Sequence, residues 1–235
     1  MKYSFLVISA LLILVSCGKN ENEMFVSGNV KGLKKGKIIL LKAQDTTLIG
    51  IDTLTINGDA TFSFSEIVES PELYFLQLQI ENESLKDKRL SFFAEPGEIT
   101  INTTLDNFTT KAVILGSKNQ EKFEEYRKLM RRYTDRNLDL IEEELNAVRE
   151  NNDSLIEAIQ KKRKSTTTGR YLATVNFAIN NNDYELAPYL MLSEVYDANV
   201  KYLDTVYKSL TPKIKDSKYG KALESYIVEI KKSEN

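Results

Sequence analysis

Histidine and tryptophan are absent from this 235-residue sequence, and cysteine occurs once, at Cys17. Without histidine there can be no Ser-His or Cys-His pair, no His-Glu-x-x-His zinc site and no imidazole acid or base near neutral pH. A single cysteine makes no intrachain disulfide and no Cys-x-x-Cys redox centre. Neither sign of charge dominates: 32 Lys and Arg face 34 Asp and Glu, a formal net charge of -2, so no basic footprint for nucleic acid exists. The one basic run, Lys161-Lys162-Arg163-Lys164, reads as a solvated helix face. No apolar run reaches the roughly 20 residues of a membrane-spanning helix.

What is present begins at the first residues. Lys2 precedes an apolar stretch from Phe5 to Val15, broken only by Ser9, and Leu14-Val15-Ser16-Cys17 closes it. That order, an aliphatic residue, a small residue and then cysteine, is the bacterial lipobox, in which Cys17 becomes the acylated N-terminus after residues 1–16 are removed as a signal. Each buried acyl methylene contributes about 0.8 kcal/mol, so several chains hold a protein on a bilayer without a spanning helix. Residues 17–23 then serve as lipidated cysteine and polar tether, since Gly18-Lys19-Asn20-Glu21-Asn22-Glu23 carries no hydrophobic period.

Residues 24–116 are predicted to be all-β. Phe25 to Val30, Lys37 to Leu41, Thr47 to Ile56, Ala60 to Phe64, Leu73 to Leu78, Arg89 to Phe93, Glu98 to Asn102 and Lys111 to Leu115 are short, β-branched or aromatic segments between turn signals. Gly32 to Gly36 is expected to close a hairpin, and Asn57-Gly58 to supply a type I′ hairpin turn. About eight antiparallel strands cannot bury alternating faces in one flat sheet, so a β-sandwich-like domain of two sheets, or a partly closed barrel, is the expected solution.

After Gly116 the period changes, and residues 117–235 are predicted to form a helical domain, which makes the fold class α+β. Phe123, Tyr126, Met130, Tyr133, Leu138, Ile141, Leu145 and Val148 recur at helical spacings. Ser117 is the expected N-cap, with Gln120 closing a capping box. A second helix runs from Ser154, its continuity through Thr166-Thr167-Thr168-Gly169 left open, and shorter helices follow at Tyr184 to Tyr196, Val200 to Leu210 and Ser217 to Lys231. Tyrosines concentrated in this half are read as packing residues with a wet edge.

Phe25-Val26-Ser27-Gly28-Asn29-Val30, Lys35-Gly36-Lys37-Ile38-Ile39-Leu40-Leu41, Asp52-Thr53 and Asn57-Gly58-Asp59-Ala60-Thr61-Phe62-Ser63-Phe64 follow one another in an order that resembles the DUF4369 N-terminal domain of Bacteroidetes envelope lipoproteins. Phe92-Phe93-Ala94-Glu95-Pro96-Gly97-Glu98-Ile99-Thr100-Ile101 and Leu115-Gly116-Ser117-Lys118-Asn119 are similar to that family's later segments. Many such proteins continue into a thioredoxin-like domain with a Cys-x-x-Cys centre. None exists here, so the resemblance implies an envelope location and an accessory role, with no redox residue to carry over.

Other chemistry is weakly signalled. Gly116-Ser117-Lys118 lacks the first glycine of a phosphate loop and reads as a helix cap. Glu121, Glu124, Glu125 and Glu142 to Glu144 point in different directions on a helix and are not expected to converge on a metal. Asp45, Asp52 and Asp59 could in principle form a carboxylate pair for glycoside hydrolysis. Thr46, Thr53, Ser154 and Thr205 each follow an aspartate in a pattern resembling O-glycosylation sites of Bacteroidetes envelope proteins. The expectation is a non-catalytic interaction or scaffold module of the cell envelope, lipid-anchored through Cys17 at the outer membrane, with no catalytic residue, cofactor, metal or nucleic acid. Its partners would be the membrane and an envelope protein, a separate thioredoxin-like protein being one alternative and a carboxylate glycan hydrolase another.

Overall fold

The computed structural model describes residues 20–44, 47–80 and 88–233. Eight strands come first: β1 (Glu23–Lys31), β2 (Lys35–Gln44), β3 (Thr47–Asn57), β4 (Thr61–Ile67), β5 (Glu72–Gln79), β6 (Lys88–Ala94), β7 (Gly97–Thr104) and β8 (Val113–Leu115). Helices α1 (Lys118–Arg149), α2 (Asp153–Asn180), α3 (Leu186–Ser193), α4 (Val200–Ser209), α5 (Pro212–Asp216) and α6 (Lys218–Ser233) follow. The layout is α+β, as the change of hydrophobic period predicts. None of the described helices is long and apolar enough to cross a membrane.

The strands form two four-stranded sheets, β4-β1-β7-β8 and β3-β2-β5-β6. Inward-facing residues of both, among them Val26, Ile38, Leu40, Phe62, Tyr74, Leu76, Phe92, Ile99 and Ile101, make one core. Outside Phe92-Phe93-Ala94 of β6, their alternation with less buried neighbours is the period of two that marks these segments as strands.

Pairing departs from expectation at three places. β1 runs parallel to β7, with Val26 level with Ile99, so the domain is not purely antiparallel. Neither expected hairpin forms: β1 and β2 lie in different sheets, as do β3 and β4. The segment Gly32–Lys34 turns instead across the open end of the sandwich and buries Leu33 between the sheets. At Asn57-Gly58 only the glycine has positive φ, +106°, whereas a type I′ turn needs two such residues. The Gly58 amide donates to the Lys34 carbonyl at 2.8 Å, so the two crossovers brace each other. Burial of Leu33 and of Ala60 outweighs the local hairpin preference.

In the helical half, Ser117 caps α1 as expected, its Oγ accepting the Gln120 amide at 3.0 Å. α2 is continuous; the Thr166 and Thr168 hydroxyls each donate to the carbonyl four residues back, at 2.9 and 3.0 Å. Phe123, Tyr126 and Met130 enter a core with α2, α3, α4 and α6. The second part of the α1 row does not: Leu138, Leu145 and Val148 are exposed, and Leu140 and Ala147 face Ile159 of α2 instead. Five residues separate Tyr133 from Leu138, a turn of about 140° on an ideal helix, so the two halves of the row cannot share a face.

Tyr74 is fully buried in the sandwich, and its hydroxyl is the one buried side-chain polar atom among the described residues without a hydrogen-bond partner. Burial, with Glu72 and Glu66 nearby, pushes its ionisation above the usual tyrosine range. An unsatisfied buried hydroxyl opposes folding, so Tyr74→Phe is expected to leave stability unchanged or raise it by about 1 kcal/mol in urea unfolding. A loss above about 1 kcal/mol would show that the hydroxyl has a partner.

Candidate functional site

Strand β6 presents consecutive aromatic residues to two different cores. Phe92 points into the sandwich, while Phe93 points out of it and joins the helical core, both fully buried. Phe93 packs edge-on against Phe123 and Tyr189, with ring centres 5.6 and 5.4 Å away, and Tyr189 in turn lies 5.2 Å from Tyr219. Such pairs contribute about 0.5–1.5 kcal/mol each beyond area burial. Burial raises the Tyr189 and Tyr219 hydroxyls above their ordinary range. The tyrosines here are packing residues, and the Tyr219 hydroxyl accepts the Leu73 amide of β5 at 3.0 Å.

Polar side chains complete this junction. The Phe93 amide donates to Gln120 Oε1 at 3.0 Å, and Gln120 Nε2 donates to Glu124 at 2.8 Å. Gln120 therefore does not close the expected capping box; its side chain satisfies the outward amide of an edge strand instead. Glu95 supplies the second cap of α1: its carboxylate accepts the Lys118 amide and, at 2.9 Å, Nδ2 of Asn119. A carboxylate at a helix N-terminus is stabilised by the unsatisfied amides and the helix dipole.

Asn119 is the hub. It is 3% exposed. Its Nδ2 also donates to Glu185 Oε2 at 3.0 Å, and its Oδ1 accepts the Leu186 amide at 3.0 Å. One amide side chain thus links the β6–β7 crossover, α1 and the start of α3. Ser70 and Glu72 make further bonds across the junction, to the Lys218 amide at 3.1 Å and to the Lys218 ammonium.

Above this hub opens a cleft of about 420 Å³, lined by Pro71, Glu95, Pro96, Lys118, Asn119, Asp183, Tyr184, Glu185 and Lys213. It lies between sandwich and helices. Two carboxylates, Glu95 and Glu185, converge on one amide at its floor, while Lys118, Asp183 and Lys213 are exposed around it.

The residues singled out in the sequence lie elsewhere. Cys17, Asp45 and Thr46 fall outside the described residues. Asp52 accepts the Thr53 amide, and Asp59 accepts the Thr61 amide, which holds its carboxyl below the usual range. Each is engaged in its own turn or strand. Thr53 on β3, Ser154 in the first turn of α2 and Thr205 on α4 are all exposed, and the Thr205 hydroxyl donates to the Lys201 carbonyl at 2.7 Å. Glu124, Glu125, Glu143 and Glu144 pair with neighbouring Arg or Lys side chains. No group of three or more metal-ligating side chains gathers among the described residues.

A family model covers the sandwich together with the first turns of α1. Residues 24–123 match the DUF4369 family model. This is a domain of unknown function. The match takes in Phe93, Glu95, Ser117, Asn119 and Gln120, so the β side of the cleft and the α1 hub lie within the matched region, while Glu185 and Lys213 come from the helices beyond it. No curated protein matches the chain. A solved structure named pT26-6p is 14% identical over 86% of this chain and 42% of its own length, with a TM-score of 0.23. The chain thus spans less than half of that protein, and a likeness this shallow carries no argument.

Proposed function

We propose that this protein is a non-catalytic, lipid-anchored interaction module of the cell envelope, and that the cleft between the DUF4369 domain and the helices receives its partner. The observation that carries this reading is the engagement of both cleft carboxylates by backbone and side-chain amides that join the two halves. Glu95 caps α1, and Glu185 shares the Asn119 amide. Groups so engaged hold structure, while the rim offers exposed charge of both signs suited to a polar partner. Acylation of Cys17 would hold the module at a membrane, and Thr53, Ser154 and Thr205 are exposed where glycosylation could reach them. The resemblance to envelope lipoproteins favours, among protein partners, a separate thioredoxin-like protein docked in trans.

The test is capture from native membranes with the full chain and with a Lys118→Glu/Lys213→Glu variant. The expected result is a species enriched by the wild type and lost with the variant; capture of no protein or glycan above background would contradict the reading. A second reading rests on the convergence of Glu95 and Glu185: a carboxylate pair in a cleft could hydrolyse glycans. It requires turnover that Glu95→Gln and Glu185→Gln each abolish. Absence of turnover on envelope glycans would remove it.

A further inference from the structure

Beyond Tyr133, α1 leaves the helical core and, among the described residues, is covered on one side alone, by α2. Its opposite flank carries an open apolar row. Leu138, Leu145 and Val148 are 59%, 56% and 54% exposed. With half-buried Ile141 they fall at alternating steps of three and four residues, the a and d places of a heptad. Arg131 and Thr134 occupy the preceding a and d places, so the row ends there and spans about 15 Å.

We propose that this row is the contact between two copies of this chain, packed antiparallel along α1. An antiparallel copy matches the row in length and chemistry: Leu138 comes level with Val148 of the second copy, and Ile141 with Leu145. The charges beside the row favour that direction. Asp135, Glu142 and Arg149 lie at successive e places, and in an antiparallel pair e places face each other. Asp135 therefore meets Arg149 of the other copy at both ends. Among the described residues Asp135 makes no ion pair and Arg149 bonds only the neutral Asn146, so both charges are available. Glu142 meets its own copy at the two-fold axis, one like-charge contact against two favourable ones. So short a strip buries less than a standard interface, and the dimer is weak and concentration-dependent.

The experiment is cross-linking of the full chain in membranes with a short bismaleimide, using Glu142→Cys as the reporter at the axis and Asp139→Cys, at an exposed b place outside the contact, as the control. The expected result is a covalent dimer from Glu142→Cys at least fivefold more abundant than from Asp139→Cys. Adding Asp135→Arg, or adding Arg149→Asp, should remove the excess, and adding both should restore it. Circular dichroism of each variant checks that the helices form. Equal yields from the two reporters, cross-links from Glu142→Cys to a different protein, or failure of the double charge swap to restore what each single swap removes in folded protein would overturn the proposal.

Discussion

Asn119→Leu is expected to lower the unfolding free energy by about 3–5 kcal/mol, although leucine is close to asparagine in size. The change deletes the donor shared by Glu95 and Glu185 and the acceptor of the Leu186 amide, all at a junction where Asn119 is 3% exposed. Each buried group left without a partner costs about 1–3 kcal/mol, and more when charged, so the sum exceeds the loss of a typical surface bond several-fold. Urea unfolding followed by far-ultraviolet circular dichroism measures it. A loss below about 1 kcal/mol would mean that water replaces the amide and that the hub does not hold the halves together. Asn119→Asp should be worse still at neutral pH, because it sets a third carboxylate beside two others. It should partly recover as the pH falls, since protonation returns a donor and relieves the repulsion.

Gly28→Ala is expected to prevent accumulation of folded protein, a loss above about 4 kcal/mol. Gly28 lies in β1 between β4 and β7, and a Cβ there would fall 1.7 Å from the Ile101 carbonyl oxygen and 2.6 Å from its carbon. Both atoms are backbone of the parallel partner strand, so the methyl can be accommodated only by parting β1 from β7. Gly50→Ala on β3 is the control, since its Cβ would meet only a Leu41 methyl at 4.0 Å. Expression level and thermal melting of the two variants check the contrast. A folded, stable Gly28→Ala protein would show that the β1–β7 register is wrong.

The places where sequence and structure part company share a physical cause. Strands and helices were legible because alternation and helical spacing are local properties, and Phe62-Ser63-Phe64 or Phe123, Tyr126 and Met130 carry them in a few residues. Pairing was not, because Asn57-Gly58 states a local turn preference while the choice between a hairpin and a crossover depends on where Leu33 and Ala60 can be buried. The cleft was missed for the same reason. Ser117 with Gln120 reads as a capping box, and only the distant Phe93 amide, 27 residues away, redirects the glutamine. One signal could have pointed there. Phe92-Phe93-Ala94 breaks the in-out alternation, and consecutive apolar residues at the end of a strand mark a sheet covered on both faces. Asn119, Glu185 and Lys213 carry no such mark, since polar residues in loops and at helix starts are ordinarily solvated.

The proposed role as a membrane-tethered module depends above all on Cys17, and the mass of the N-terminal peptide from protein purified out of native membranes tests it most directly. The expected peptide begins at Cys17 and carries the added mass of a diacylglyceryl group, with or without a further acyl chain on its amine. A peptide in which Cys17 keeps a free thiol, or one that still bears residues 1–16 in the mature protein, would contradict the anchor and with it the proposed place of action.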